Sequence, residues 1–129
     1  MEGPMGAESG DVHGRWRFDF HGDPAAADSA MEDRHDPTLS CAMTVLAAAK
    51  QARLRGIRAA VGRLETTPGE PDRVPARASA WLDAYAAEEG DLAAYLAEVS
   101  AQASARAARD GTRLDVVAEI VPRSDRPGP

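Results

Sequence analysis

The hydrophobic period of this chain changes several times between residues 15 and 121. In RWRFDF (15–20), Trp16, Phe18 and Phe20 alternate with Arg15, Arg17 and Asp19. That is the two-residue period of a strand with one buried side. Residues 21–36, HGDPAAADSAMEDRHD, show no period and are rich in acids, which predicts a long loop. Asp36-Pro37 then marks the start of a helix. An aspartate side chain can cap the free N–H groups of the first turn, and proline's fixed φ suits the first helical position. No charge occurs from Leu39 to Ala49. The helix is therefore expected to be buried on most of its circumference and to end at Arg53, Arg55 and Gly56.

The next pattern predicts two strands, 57–65 and 76–85, joined by the turn-rich segment TTPGEPDR (66–73). In the second, Ala78, Ala80, Leu82 and Ala84 alternate with Ser79, Trp81, Asp83 and Tyr85. A second helix opens at Gly90-Asp91, with Asp91 as its cap. Leu92, Tyr95, Leu96, Val99 and Ala103 fall on one face of it. Asp110-Gly111 stops this helix, and RLDVVAEIV (113–121) is a β-branched last strand. The order is strand, buried central helix, two strands, helix, strand. This predicts one α+β domain over residues 14–121, flanked by disordered tails at 1–13 and 122–129 where glycine, proline and polar residues dominate.

Charge and cysteine content narrow the partners. With 15 basic and 21 acidic residues the net charge is −6, which argues against nucleic acid. No apolar run approaches the roughly 20 residues of a membrane span, so no membrane partner is expected. The sole cysteine, Cys41, excludes an internal disulfide and suits a reducing compartment. MEGPMGAESGDVHG contains no basic segment followed by an apolar one, so a cytoplasmic location is expected.

Cys41 admits two readings. It is a small apolar residue packed beside Ala42, Val45 and Leu46, or a reactive thiol that needs a neighbouring cation to ionise. His13, His21 and His35 are metal-ligand types, but the spacings of 8 and 14, and 6 onward to Cys41, match no compact motif. No metal or other cofactor is expected. Lys50, Arg53, Arg55 and Arg58 form a basic cluster that reads as a solvated helix end. Trp81 and Tyr85 share one strand face and read as packing residues.

The segments DPTLSCAMTVLAAAKQARLRGI and GDLAAYLAEVSAQASARAARDGTRLDVVAEIV, in this order of elements, resemble the OsmC/Ohr family of small thiol-dependent peroxidases. The resemblance implies that Cys41 attacks organic hydroperoxides, that Arg15 or Arg17 activates it, and that Glu32, Asp33 or Asp36 supplies the accompanying acid. It also implies an intertwined homodimer. The family's second, resolving cysteine is missing, because Ala103 or Ser104 stands in its place. A peroxidase of this type would need an external thiol reductant. The departures equally suit a non-catalytic OsmC-like binding or structural dimer. The uncharged helix 39–49 independently asks for cover in a chain with few other large apolar residues, which also predicts a homodimer. A further alternative takes 37–64 and 74–109 as an all-α hairpin, like the small proteins of type VII secretion, with YAAEE (85–89) as a signal of their kind.

Overall fold

The computed structural model describes residues 11–123. Strand β1 spans Val12–His21, and a two-residue strand, β2, spans Ala25–Ala26. A single 3-10 turn follows at Met31–Asp33. Helix α1 covers Pro37–Arg55, strand β3 covers Arg58–Thr67, and a second two-residue strand, β4, covers Arg73–Val74. Strand β5 is Arg77–Ala86, helix α2 is Glu89–Asp110, and strand β6 is Arg113–Ile120. β1 begins three residues earlier than the alternation at 15–20, with Val12 buried. Of the tails expected at 1–13 and 122–129, residues 1–10 and 124–129 lie outside the described residues, and Val12 and His13 belong to β1.

The four long strands form one antiparallel sheet in the order β3-β5-β1-β6, and β2 pairs with β4 in a small separate ribbon. β3 and β5 pair directly, Arg58 opposite Tyr85 through Thr67 opposite Arg77, with an irregularity between Val61 and Arg63. Both helices lie on one side of the sheet, α1 over the β3 half and α2 over the β6 half. This is an α+β architecture with the βαββαβ connectivity of ferredoxin-like folds.

Alternation sorts the residues of each strand between the two sheet faces. Trp16, Phe18 and Phe20 of β1, with Ala78, Ala80, Leu82 and Ala84 of β5, point toward the helices and are buried. From α2 they meet Leu92, Tyr95, Val99, Ala103 and Ala107, at the spacing of one helical face. Each fully buried Leu, Val or Phe side chain contributes about 1.5–3 kcal/mol, so this shared layer is the main source of stability. Alanine is abundant at the contact, and the elements pack closely as a result. Tyr95 Oη donates to the Ala48 carbonyl at 2.8 Å, binding α2 to α1. Ser40 Oγ donates to Asp110 Oδ2 at 2.8 Å at the other end of the same helix pair.

Asp36 caps α1 as its position suggests, its side chain accepting from the Thr38 N–H at 2.9 Å. Gly56, with φ 68°, closes that helix, and Gly111, with φ 73°, closes α2. The start of α2 differs from the expectation. Glu88 is the capping residue, without a side-chain cap, and Asp91 sits inside the first turn, where its charge still complements the helix dipole.

The expectation for α1 needs a larger correction. It is not buried around most of its circumference. Only the sheet-facing side, through Pro37, Cys41, Thr44, Ala48 and Ala52, and the α2-facing Ser40 are buried. Leu39, Met43, Leu46 and Leu54 are exposed, Leu46 at 64 % and Leu54 at 68 %. The physical reason is the two-layer architecture. A helix resting on one sheet face, with one helical neighbour, has no cover on its outer side. An absence of charge records what a helix can bury, not what this chain buries unaided.

Candidate functional site

The residues proposed for thiol chemistry are not brought together. Cys41 lies on the sheet-facing side of α1 and is 4 % exposed. Burial pushes its thiol up to about 11, which removes the thiolate that peroxide attack requires. Arg15 and Arg17 lie on the opposite face of the sheet, with the sheet between them and the sulfur. Both are occupied there, Arg15 by Asp83 and Arg17 by Asp19. Glu32 and Asp33 are exposed in the 3-10 turn, and Asp36 is spent on capping. Ala103 is buried in the core and Ser104 is exposed.

The three histidines are also dispersed. His13 pairs with Asp83, His21 with Asp115, and His35 with Asp23. Among the described residues, no group of three or more histidine, cysteine, aspartate or glutamate side chains could hold a metal ion. Tyr85 of YAAEE stands in strand β5, so the segment is not the tail of a helical hairpin.

The helix-free face of the sheet carries a connected polar network. Arg15 Nη2 donates to Asp83 Oδ2 at 3.1 Å, and the His13 ring lies 2.8 Å from the same oxygen. Hydrogen bonding from Arg15, then from His13, holds the Asp83 carboxyl below the usual carboxylate range. The His13 ring stacks on Tyr85 with centroids 4.2 Å apart. Arg17 grips both oxygens of the nearly buried Asp19, which also accepts from Ser79 Oγ at 2.6 Å. Trp81 Nε1 donates to Glu119 at 3.0 Å, and Arg63 covers the Trp81 ring at 4.3 Å. A cleft of about 350 Å³ opens between Arg15, Arg63, Trp81 and Glu119. The arginines lining it already hold acids, so the network ties four strands together and presents no paired nucleophile and base. The alternation of β1 and β5 marks which side chains share this face. Their partners in β6 and β3 follow only from the sheet order.

The unsatisfied surface lies at the other side of the molecule. β3 pairs with β5 along one edge, and its other edge is the border of the sheet. Leu64, on the helix side of β3, is 60 % exposed. Next to β3 runs one flank of α1. Among the described residues, Leu39, Met43, Leu46 and Leu54 of α1 are also exposed, with Met43 and Leu46 on the side turned toward α2. The flank of α1 turned away from α2 carries Thr38, Ala42 and Ala49 at helical spacing, all exposed and uncharged.

Solved structures similar to this chain include amidases of the hydantoinase/carbamoylase family. An amidase of the hydantoinase/carbamoylase family from Burkholderia ambifaria superposes with a TM-score of 0.85 at 13 % identity, covering 90 % of this chain and 29 % of its own. A second from Burkholderia multivorans gives 0.82 at 19 % identity, covering 89 % and 29 %. The aminobenzoyl-glutamate utilization protein from Klebsiella pneumoniae gives 0.77 at 18 % identity, covering 96 % and 34 %. No family model and no curated protein sequence matches the chain. The chain spans about 29 % of the length of the Burkholderia structures it matches. At these identities the likeness establishes the fold.

These findings overturn the functions drawn from the OsmC resemblance, both the hydroperoxide reductase and the non-catalytic OsmC-like dimer. The similar structures include hydantoinase/carbamoylase-family amidases, and the buried, un-ionised thiol lies across the sheet from the arginines meant to activate it. The type VII hairpin is likewise overturned, because residues 58–67 and 77–86 are paired strands. No helix among the described residues is long and apolar enough to cross a membrane.

Proposed function

We propose that this chain is an assembly domain, related in fold to a segment of hydantoinase/carbamoylase-type amidases, that forms a homodimer by joining the β3 edges of two copies. The observation that carries this reading is the open ten-residue edge of β3, flanked by exposed Leu64 and the uncharged stretch of α1 that carries Thr38, Ala42 and Ala49. A strand of that length presents an edge about 33 Å long. Unpaired edges are normally blunted by charge, proline or cover, and the helix side of β3 (Ala59, Val61, Leu64, Thr66) carries no charge. Pairing two β3 strands antiparallel across a two-fold axis would make one eight-stranded sheet. It would also bring the two α1 flanks together, where Ala42 and Ala49 permit close approach. The other border strand, β6, is shorter, at eight residues.

The likeness to a segment spanning about 29 % of longer amidases supports a role in assembly, with the reacting groups supplied elsewhere. Sedimentation equilibrium of the chain tests this reading. A dimer at micromolar concentration is expected, and Leu64→Lys should convert it to a folded monomer, because lysine at a sheet edge resists pairing. A wild-type monomer across that range, or a Leu64→Lys dimer as tight as wild type, refutes it.

A further inference from the structure

A second surface of the helix layer remains uncovered by that interface. Between α1 and α2, on the side away from the sheet, runs an open groove of about 490 Å³. Each helix lines it with positions i, i+3, i+4 and i+7, beginning at Met43 in α1 and at Gln102 in α2. Its apolar lining is formed by Met43, Leu46, Ala47 and Ala105. At a rise of about 1.5 Å per residue, the lined stretch is about 10 Å long.

Charge distinguishes this groove from an ordinary exposed seam. Lys50 and Arg109 stand at its rim, and among the described residues neither has an acidic partner. Arg106 adds a third cation, although it is tied to Asp110 at 2.9 Å. No aspartate or glutamate lines the groove. A cationic, apolar trough is conspicuous in a chain whose net charge is −6.

We propose that this groove is a docking site for an acidic amphipathic helix of a partner protein. Two parallel walls with matching helical spacing form the trough that a third helix fills, ridges into grooves. Apolar anchors at i, i+3 or i+4 and i+7 of such a helix would pack on the apolar lining, and flanking glutamates would meet Lys50 and Arg109. A second copy of this chain does not offer that ligand. Its acidic helix, α2, already commits its apolar face (Leu92, Tyr95, Val99) to its own core. The proposal is independent of the β3 dimer.

The test uses fluorescence anisotropy on the whole chain with two synthetic 16-residue helices as probes. Both carry the same leucine face, one flanked by glutamates and the other by lysines. The glutamate peptide should bind at micromolar concentration and weaken as salt rises, and the lysine peptide should bind at least tenfold more weakly. The double variant Lys50→Glu/Arg109→Glu should lose at least tenfold for the glutamate peptide. Its circular dichroism and sedimentation should match wild type, because both residues are exposed. Leu64→Lys should retain peptide binding, which separates failure of the dimer from failure of the groove. Equal binding of the two peptides, binding unaffected by the double variant, or no binding of either peptide overturns the proposal. So does charge-dependent binding of decanoate without peptide binding, which would assign the groove to a small amphiphile.

Discussion

The most exposed consequence of the structure for Cys41 is its silence toward thiol reagents. The perturbation is a thiol-specific disulfide reagent at pH 8, applied to the native chain and to the chain unfolded in guanidinium. A thiol with its ordinary value of 9.0 would be about 9 % thiolate at that pH, whereas one pushed to about 11 is about 0.1 % thiolate. Ionisation alone therefore slows the reaction about 100-fold. Burial adds a second factor, since at 4 % exposure the sulfur meets reagent only when the α1–sheet contact opens. Stopped-flow absorbance should show one equivalent released rapidly from the unfolded chain. From the native chain it should appear at least 100-fold more slowly, with a rate that becomes independent of reagent concentration once opening is limiting. Native labelling within seconds, first order in reagent throughout, would refute both the burial and the raised value. It would also return Cys41 to the list of reactive thiols.

Other substitutions probe the frame around it. Tyr95→Phe removes the hydrogen bond to the Ala48 carbonyl while keeping the ring. It should cost about 0.5–1.5 kcal/mol in urea melts. Gly111→Ala forces a non-glycine residue to φ 73° and puts its Cβ 2.7 Å from the His35 ring, whereas Gly56→Ala at φ 68° meets nothing. Thermal melts should place the Gly111 variant below the Gly56 variant, with about 1 kcal/mol of backbone cost common to both. Asp83 has its carboxyl value lowered in the folded state, chiefly by Arg15, so its contribution is present above the unfolded value of about 3.9 and is lost as pH falls through the folded value. Asp83→Asn should therefore lower stability at pH 7 and flatten its fall below about pH 4, measured as urea midpoints against pH.

The order of elements was legible because each carries a strong local signal. The alternation of Trp16, Phe18 and Phe20, the Asp36-Pro37 cap and the glycines at 56 and 111 act within a few residues. Those signals reflect steric and hydrogen-bonding rules that do not depend on the rest of the fold. The site was not legible, for a different reason. Whether Cys41 and Arg17 meet depends on which sheet face each occupies relative to the helices, and Arg17 turned out to be spent on Asp19 across the sheet from the sulfur. Likewise, the uncharged run 39–49 announced a surface to be covered without saying by what. Leu46 is exposed because α1 has a single helical neighbour, a fact of topology and not of local pattern. The OsmC resemblance rested on element order, and a strand–helix–two strands–helix–strand order is shared by folds of unrelated function.

The central claim, that β3 is a pairing edge, is tested most directly by amide hydrogen exchange along Arg58–Thr67 at two protein concentrations. In an isolated chain, the β3 amides that point away from β5 have no backbone acceptor and should exchange rapidly. If two copies pair, those amides should be protected at concentrations where the dimer forms, should lose protection on dilution, and should stay unprotected in Leu64→Lys at any concentration. Fast exchange of the outward β3 amides at high concentration, with the inward amides paired to β5 still protected, would contradict the account.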